Sequence, residues 1–183
     1  AMRAYGCIVL DPIDIPTAKE VAAIRSSILR NEFKDGINAW LRALGERAPV
    51  GSLDELIAFN KQNPQERMPF GQALFEVAAG MPGVSDPGYH TDRRKDLLLS
   101  RTAGIDAVMA AYRLDAILVP QAKAAKMTGK AGYPAIAVPA GYKADGTAVG
   151  MTFIGRAYSE GTLLNLAFSF EALTAMRKPP RLT

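Results

Sequence analysis

The sequence holds one cysteine, Cys7, and one histidine, His90. A single cysteine excludes an internal disulfide, and one histidine leaves no His/Cys set with zinc spacing and no H-E-x-x-H pair. No apolar stretch approaches the roughly 20 residues that cross a bilayer, so no membrane partner is expected. The start carries no secretory pattern: the short run 6–10 is closed by Asp11-Pro12. Lack of a disulfide framework and of a leader pattern together predict a reducing, cytoplasmic setting.

One-signed charge is scarce too. Twenty-two Lys and Arg face 18 Asp and Glu, a net charge of +4. The two signs interleave along most of the chain, as in Asp92-Arg93-Arg94-Lys95-Asp96. Only Lys123, Lys126 and Lys130, and Arg177, Lys178 and Arg181 near the end, stand apart. A nucleic-acid binder gathers its basic groups on one face, often between aromatics. Solvated loops and a basic tail account for these six, and no nucleic-acid partner is expected. Hydrophobic residues make up 49% of the 183, the composition of an ordinary globular protein with a core of its own.

Familiar catalytic motifs are missing as well. Gly83-Val84-Ser85-Asp86-Pro87-Gly88 fails as a nucleophile elbow, because Pro87 stands where the second glycine is needed and no strand leads in. A turn with Ser85 or Asp86 capping the next helix explains it. Around Thr128-Gly129-Lys130, Ala124 and Ala131 occupy the glycine and Ser/Thr positions of a phosphate loop. No S-x-x-K pair exists, and Ser26-Ser27 lies mid-pattern in a helix, which reads as solvent-facing surface. No catalytic side chain, metal ligand set or cofactor site can be assigned from these residues.

Hydrophobic periodicity gives the elements. Residues 5–10 read as a buried strand with Cys7 inside it. Val21, Ile24, Ile28, Leu29, Phe33, Ile37, Trp40, Leu41 and Leu44 make one helical stripe over 17–44, opened by Thr17/Glu20 and stopped by Gly45. Ser52/Glu55 is a second capping box, for a helix ending near Asn63-Pro64. Helices follow at 71–79 and, as one long element, at 89–114. Residues 116–119, 135–138 and 149–154 read as strands, with a turn at Asp145-Gly146 and a polar, lysine-bearing loop over 121–133. Ser159 caps a last helix to about residue 176. Gly132, Gly141 and Gly155 suit turns or close packing. The pattern is α/β, with a mixed sheet of about four strands flanked by helices on both faces.

Five blocks carry a resemblance. Residues 131–142 read Ala-Gly-Tyr-Pro-Ala-Ile-Ala-Val-Pro-Ala-Gly-Tyr, and residues 150–160 read Gly-Met-Thr-Phe-Ile-Gly-Arg-Ala-Tyr-Ser-Glu. Leu163-Leu164 through Phe170-Glu171-Ala172 closes the pattern, down to an Arg-x-Pro-Pro ending. Upstream stand Glu32-Phe33-Lys34-Asp35-Gly36-Ile37-Asn38-Ala39-Trp40-Leu41 and Leu114-Asp115-Ala116-Ile117-Leu118-Val119-Pro120. In this order the blocks resemble the C-terminal part of the amidase signature family.

That family hydrolyses carboxamides through a Lys–Ser–Ser triad carried in its N-terminal half, and no segment here resembles the triad region. The resemblance therefore implies one domain, 1–183, equivalent to the C-terminal third to two-fifths of such an enzyme, inactive alone. It further implies one wall of the acyl-side pocket, which points to Phe33, Asn38 and Gln121 as substrate-binding residues. Gln121 departs from the family's common Thr, and the loop from it to Gly132 is short. The implied partners are the missing N-terminal catalytic half or, in the parent enzyme, a small-molecule amide. A chain without that half should expose a sheet edge and an apolar patch, which predicts a homodimer. Two other readings compete: a binding module that pairs with a separately encoded catalytic half, and a complete small enzyme working around His90, Asp92 and Ser85.

Overall fold

The structure is a computed structural model that describes residues 2–24 and 27–179. These divide into two compact units, residues 27–95 and residues 2–24 with 96–179.

In the 27–95 unit, helices α2 (Ile28–Leu44), α3 (Leu53–Lys61), α4 (Pro64–Arg67) and α5 (Ala73–Ala79) precede most of α6 (Pro87–Leu97). Leu53, Ile57 and Ala78 form the core, joined by Ile37 and Phe75. Capping follows the sequence closely. The Ser52 hydroxyl accepts the Glu55 N–H at 3.2 Å, and the Glu55 carboxylate accepts the Gly51 N–H at 2.7 Å. Gly45 ends α2 with φ +54°, a conformation that favours glycine. Asp86 accepts the N–H groups of Gly88 and Tyr89, so the 83–88 segment is the capped turn expected of it. Buried Asn31 accepts the Gly83 N–H at 2.8 Å, and Asp35 takes that of Val84 at 2.6 Å. Polar groups of α2 thereby hold the turn that launches α6.

The expected single helix over 17–44 is two. The first, α1 (Ala18–Ala23), gives way to extended backbone at Ile24. Thr17 does not cap it; its hydroxyl donates to the Leu99 carbonyl at 2.6 Å. Ser27 occupies the N-cap position of α2, where its N–H and hydroxyl both donate to Asp92 Oδ2, at 2.9 and 2.8 Å. It is half-buried and engaged rather than solvent-facing surface; Ser26 lies outside the described residues.

The other unit is built on a sheet. Strands β1 (Ile117–Pro120), β2 (Ala135–Tyr142) and β3 (Ala148–Ile154) lie in the order β1-β3-β2, antiparallel throughout. Asp145-Gly146 makes the β2–β3 turn, closed by the Lys143 N–H to the Thr147 carbonyl at 2.9 Å. Alternation along β3 sends neighbouring side chains to opposite faces. Phe153 joins Val138, Leu163 and Ala167 beneath α9 (Glu160–Thr174). Ile154 joins Val21, Ile105, Val108, Met109, Met127 and Ala131, contributed by α1, a π-helical segment (Leu98–Ile105), α7 (Asp106–Ala111) and α8 (Ala125–Ala131). The α/β arrangement with helices on both faces is the expected one.

Three sequence expectations need correction here. The strand over 5–10 does not form, so the sheet among the described residues has three strands rather than about four, and none of its pairings is parallel. A 3-10 turn over Met2–Tyr5 packs Met2 against the α9 core, Gly6 follows at φ +85°, and the Arg3 guanidinium donates to the Val9 carbonyl at 3.0 Å. With its first residue anchored in a turn and no strand alongside, the apolar run is left in solvent. Ile8 is 92% exposed and Cys7 is an exposed thiol, not a buried one. The expected helix over 89–114 is interrupted by the π-helical segment. The expected loop over 121–133 contains a 3-10 turn (Gln121–Ala124) and α8, because Ala, Lys and Met favour helix and Gly132, at φ +64°, supplies the left-handed stop.

Candidate functional site

The polar groups of the sheet-bearing unit converge on Lys130-Ala131-Gly132-Tyr133, the opening of the segment that leads into β2. Three side chains from the neighbouring helical stretch reach it. Asp96, 2% exposed at the end of α6, holds Lys130 Nζ at 2.6 Å through Oδ2. Arg101 Nε donates to the Ala131 carbonyl at 2.5 Å, and its guanidinium lies 5.2 Å over the Tyr133 ring. The Tyr133 hydroxyl donates to Asp106 Oδ2 at 2.9 Å. These three anchors, at 96, 101 and 106, are spaced by fives. A plain α-helix brings residues three and four apart to one side. The π-helical segment between them is kinked at Gly104, and all three side chains meet the same stretch of chain.

These contacts make the cluster a clamp on residues 130–133. Lys130 Nζ donates to the Asp96 carboxylate in a charge-assisted hydrogen bond. Ser100 is fully buried, and its hydroxyl donates to the Asp96 carbonyl at 2.5 Å. Thr128 and Thr152 donate likewise to the carbonyls of Ala124 and Gln121. Each of these hydroxyls donates to a main-chain carbonyl rather than to a base. Asp96 Oδ1, by contrast, is buried with no hydrogen-bond partner.

Burial raises the Tyr133 phenol above its ordinary value of 10, and the hydrogen bond to Asp106 adds to the shift against the pull of Arg101 and Arg156. A raised value in the folded state means that the fold holds this proton more tightly than the unfolded chain does. The stability that results is complete below the unfolded value and is lost as pH rises through the folded one. Urea unfolding at pH values between about 8 and 11 should show a steeper alkaline loss for the natural chain than for Tyr133→Phe, which itself costs about 1 kcal/mol at neutral pH. Identical pH profiles for the two would exclude this role of the phenol.

The residues expected to bind substrate are placed as follows. Phe33 stands on α2, 37% exposed, with its ring stacked on Phe75 at a centroid distance of 5.6 Å. Asn38 Oδ1 accepts the Leu53 N–H at 2.8 Å, so this side chain also fixes the start of α3. Five residues apart on one helix, Phe33 and Asn38 leave the axis in directions about 140° apart. Gln121, in the other unit, has φ +54° and an exposed side chain, while its carbonyl accepts the Thr152 hydroxyl at 2.7 Å. Of the alternative trio, Asp92 is bonded to Ser27, and the His90 ring packs edge-on against Tyr89 at 5.3 Å. Ser85 and the His90 ring have no side-chain hydrogen bond among the described residues, and no three His, Cys, Asp or Glu side chains gather there as a metal set. The Asp96–Lys130 pair was missed by sequence reasoning. Its 34-residue separation gives no local signal, and each partner sits in a charged run that reads as solvated surface.

No protein-family model matches the chain. A probable amidase of Arabidopsis thaliana is 35% identical over 186 residues, which cover 98% of this chain and 36% of the plant protein. Among solved structures, a peptide amidase in complex with the competitive inhibitor chymostatin superposes with a TM-score of 0.90 at 33% identity, covering 98% of this chain and 39% of that one. An amidase family protein from Bacillus anthracis superposes with a TM-score of 0.85 at 28% identity, over 98% of this chain and 34% of the other. The chain thus spans little more than a third of the length of these relatives. By sequence and by fold it is similar to members of the amidase signature family and corresponds to their C-terminal part.

Proposed function

We propose that this chain is the C-terminal part of a C–N hydrolase that cleaves carboxamides, and that it turns over no amide by itself. The observation that carries the reading is the superposition of 98% of the chain on a peptide amidase at 33% identity. That relative favours peptidic carboxamides as the substrate class. The Lys–Ser–Ser chemistry of the resembled family needs a nucleophile and a base in hydrogen-bond reach of one another. The Ser100, Thr128 and Thr152 hydroxyls around the clamp donate to main-chain carbonyls instead, which suits a supporting role. Phe33, the Nδ2 amide of Asn38 and the exposed amide of Gln121 are the proposed substrate contacts.

A second reading is favoured by one surface. Helix α9 buries Leu163 and Ala167 yet leaves Leu164 and Phe168 59% and 74% exposed, one turn apart on its outer side. In this reading the chain is a non-catalytic module that docks a separately encoded catalytic half, and in its absence a second copy of itself. One assay separates the two readings. The purified chain, tested on aliphatic, aromatic and peptidic amides, should match the buffer blank. Turnover that appears on mixing with a separately produced N-terminal amidase half supports the docking module. Turnover by the chain alone, abolished by substituting one of its own serines, would contradict both.

A further inference from the structure

Where α7 ends, β3 ends and α9 begins, a depression of about 430 Å³ opens on the sheet-bearing unit. It is lined by the apolar side chains of Ala110 and Leu114, with core Met109 beneath them, and by the polar ones of Arg113, Asp115, Arg156 and Thr162. The backbone that frames it is fixed. Met109 belongs to the core at 2% exposure, and Arg113 is held at φ +52° between α7 and β1. Gly155, just before Arg156, is buried where a Cβ would overlap Ser159 Oγ and lie 3.2 Å from two Leu163 side-chain carbons. The Ser159 hydroxyl donates to the Arg156 carbonyl at 2.8 Å, tying the backbone on both sides of the Arg156 branch point. Neither arginine forms an ion pair within 4.0 Å among the described residues, and neither does Asp115. Two guanidinium groups and one carboxylate therefore border a small depression, none of them in an ion pair among the described residues.

We infer that this depression binds an α-amino acid with an apolar side chain, its carboxylate on Arg113 and Arg156, its ammonium on Asp115, and its side chain against Ala110 and Leu114. Guanidinium groups are suited to planar carboxylates, because their N–H fork matches both oxygens. A purely anionic ligand would leave Asp115 facing like charge, whereas a zwitterion satisfies both signs at once. The volume fits a molecule of this size and falls at the small end of ordinary ligand sites. The site is independent of amide hydrolysis, so it stands or falls apart from the function proposed above.

The test uses the whole chain and three probes of one shape: leucine, leucinamide, which lacks the carboxylate, and 4-methylpentanoate, which lacks the amine. Followed by NMR of the Met109 and Ala110 methyl groups, leucine should bind saturably. It should bind about tenfold more tightly than either of the other two, the worth of one charge-assisted hydrogen bond. Arg113→Gln and Arg156→Gln should each weaken leucine about tenfold, and Asp115→Asn should bring leucine and 4-methylpentanoate to within about twofold of each other. All three side chains lie at the surface, so the core is untouched. Three outcomes overturn the inference: no saturable leucine binding below about 50 mM, a limit beyond which millimolar recognition is excluded; leucinamide binding as well as leucine; or inorganic phosphate displacing leucine with Asp115→Asn without effect, the mark of a plain anion patch.

Discussion

Replacing Lys130 by Met should destabilise the sheet-bearing unit by about 3–5 kcal/mol, the loss found when one partner of a buried ion pair is removed. Asp96 is 2% exposed and already has one oxygen, Oδ1, without a hydrogen-bond partner. Lys130, with its side chain 15% exposed, meets the other oxygen at 2.6 Å. Removing the ammonium leaves a desolvated carboxylate with nothing to offset its burial beyond the local backbone. A loss of this size consumes much of the roughly 5–15 kcal/mol that typically holds a domain together. The double variant Asp96→Leu/Lys130→Met separates charge from packing. Two apolar groups of similar volume remove the uncompensated carboxylate and the orphaned oxygen together, so the double variant should recover most of the loss. Urea midpoints for the two variants decide the matter. A single variant within about 1 kcal/mol of the natural chain would mean that the pair is screened by water in the manner of a surface pair.

That pair shows where sequence reading stops. Asp96 closes the run Asp92-Arg93-Arg94-Lys95-Asp96, whose alternating charges describe a solvated helix face. Lys130 belongs to a one-signed run that reads as loop. Burial of Asp96 and part-burial of Lys130 go with the kinked segment that brings Asp96, Arg101 and Asp106 to residues 130–133, and no local periodicity encodes that kink. Elements fixed by their own neighbours were legible. The Ser52/Glu55 box, the Gly45 stop, the Asp86 cap, the Asp145-Gly146 turn and the three strands of the sheet all depend on residues within a few positions. Elements fixed at a distance were not. The stripe from Val21 to Ile28 keeps its helical phase across the break at Ile24, so amphipathicity alone cannot locate the point where Ser27 turns to Asp92. The run around Cys7 has strand composition, but a strand needs a partner edge, and pairing is a tertiary fact. Of the candidate site, the residue types of Phe33, Asn38 and Gln121 came from the family resemblance, whereas their present partners, Phe75, Leu53 and Thr152, follow only from the fold.

Two glycine-to-alanine substitutions should move stability in opposite directions, and the contrast tests the π-helical turn itself. Gly104 lies inside that segment with φ −106° and ψ −105°, outside the helical region. It is buried, and a Cβ there would overlap the Leu99 carbonyl oxygen and stand 3.0 Å from Thr17 Oγ1. The same Leu99 carbonyl already accepts the Thr17 hydroxyl at 2.6 Å, so the oxygen cannot retreat without breaking the link between α1 and the turn. Backbone yields less readily than a side-chain tip, and overpacking at a closed site costs about 1–3 kcal/mol or more. Gly104→Ala should therefore lose about 3 kcal/mol, at the upper end of that range. Gly129 lies inside α8 without a positive φ, and a Cβ there would meet no atom within 4 Å. At that position alanine adds helix propensity and reduces the freedom of the unfolded chain, a gain of about 0.5–1 kcal/mol. Both variants remove one glycine from one helical stretch of the same unit, so effects on the unfolded chain largely cancel in the comparison. Urea unfolding should place Gly104→Ala well below the natural chain and Gly129→Ala slightly above it. If the two midpoints coincide, the close approach of residue 104 to the Leu99 carbonyl is not what shapes the turn, and the alignment of Asp96, Arg101 and Asp106 on the Lys130–Tyr133 segment needs another cause.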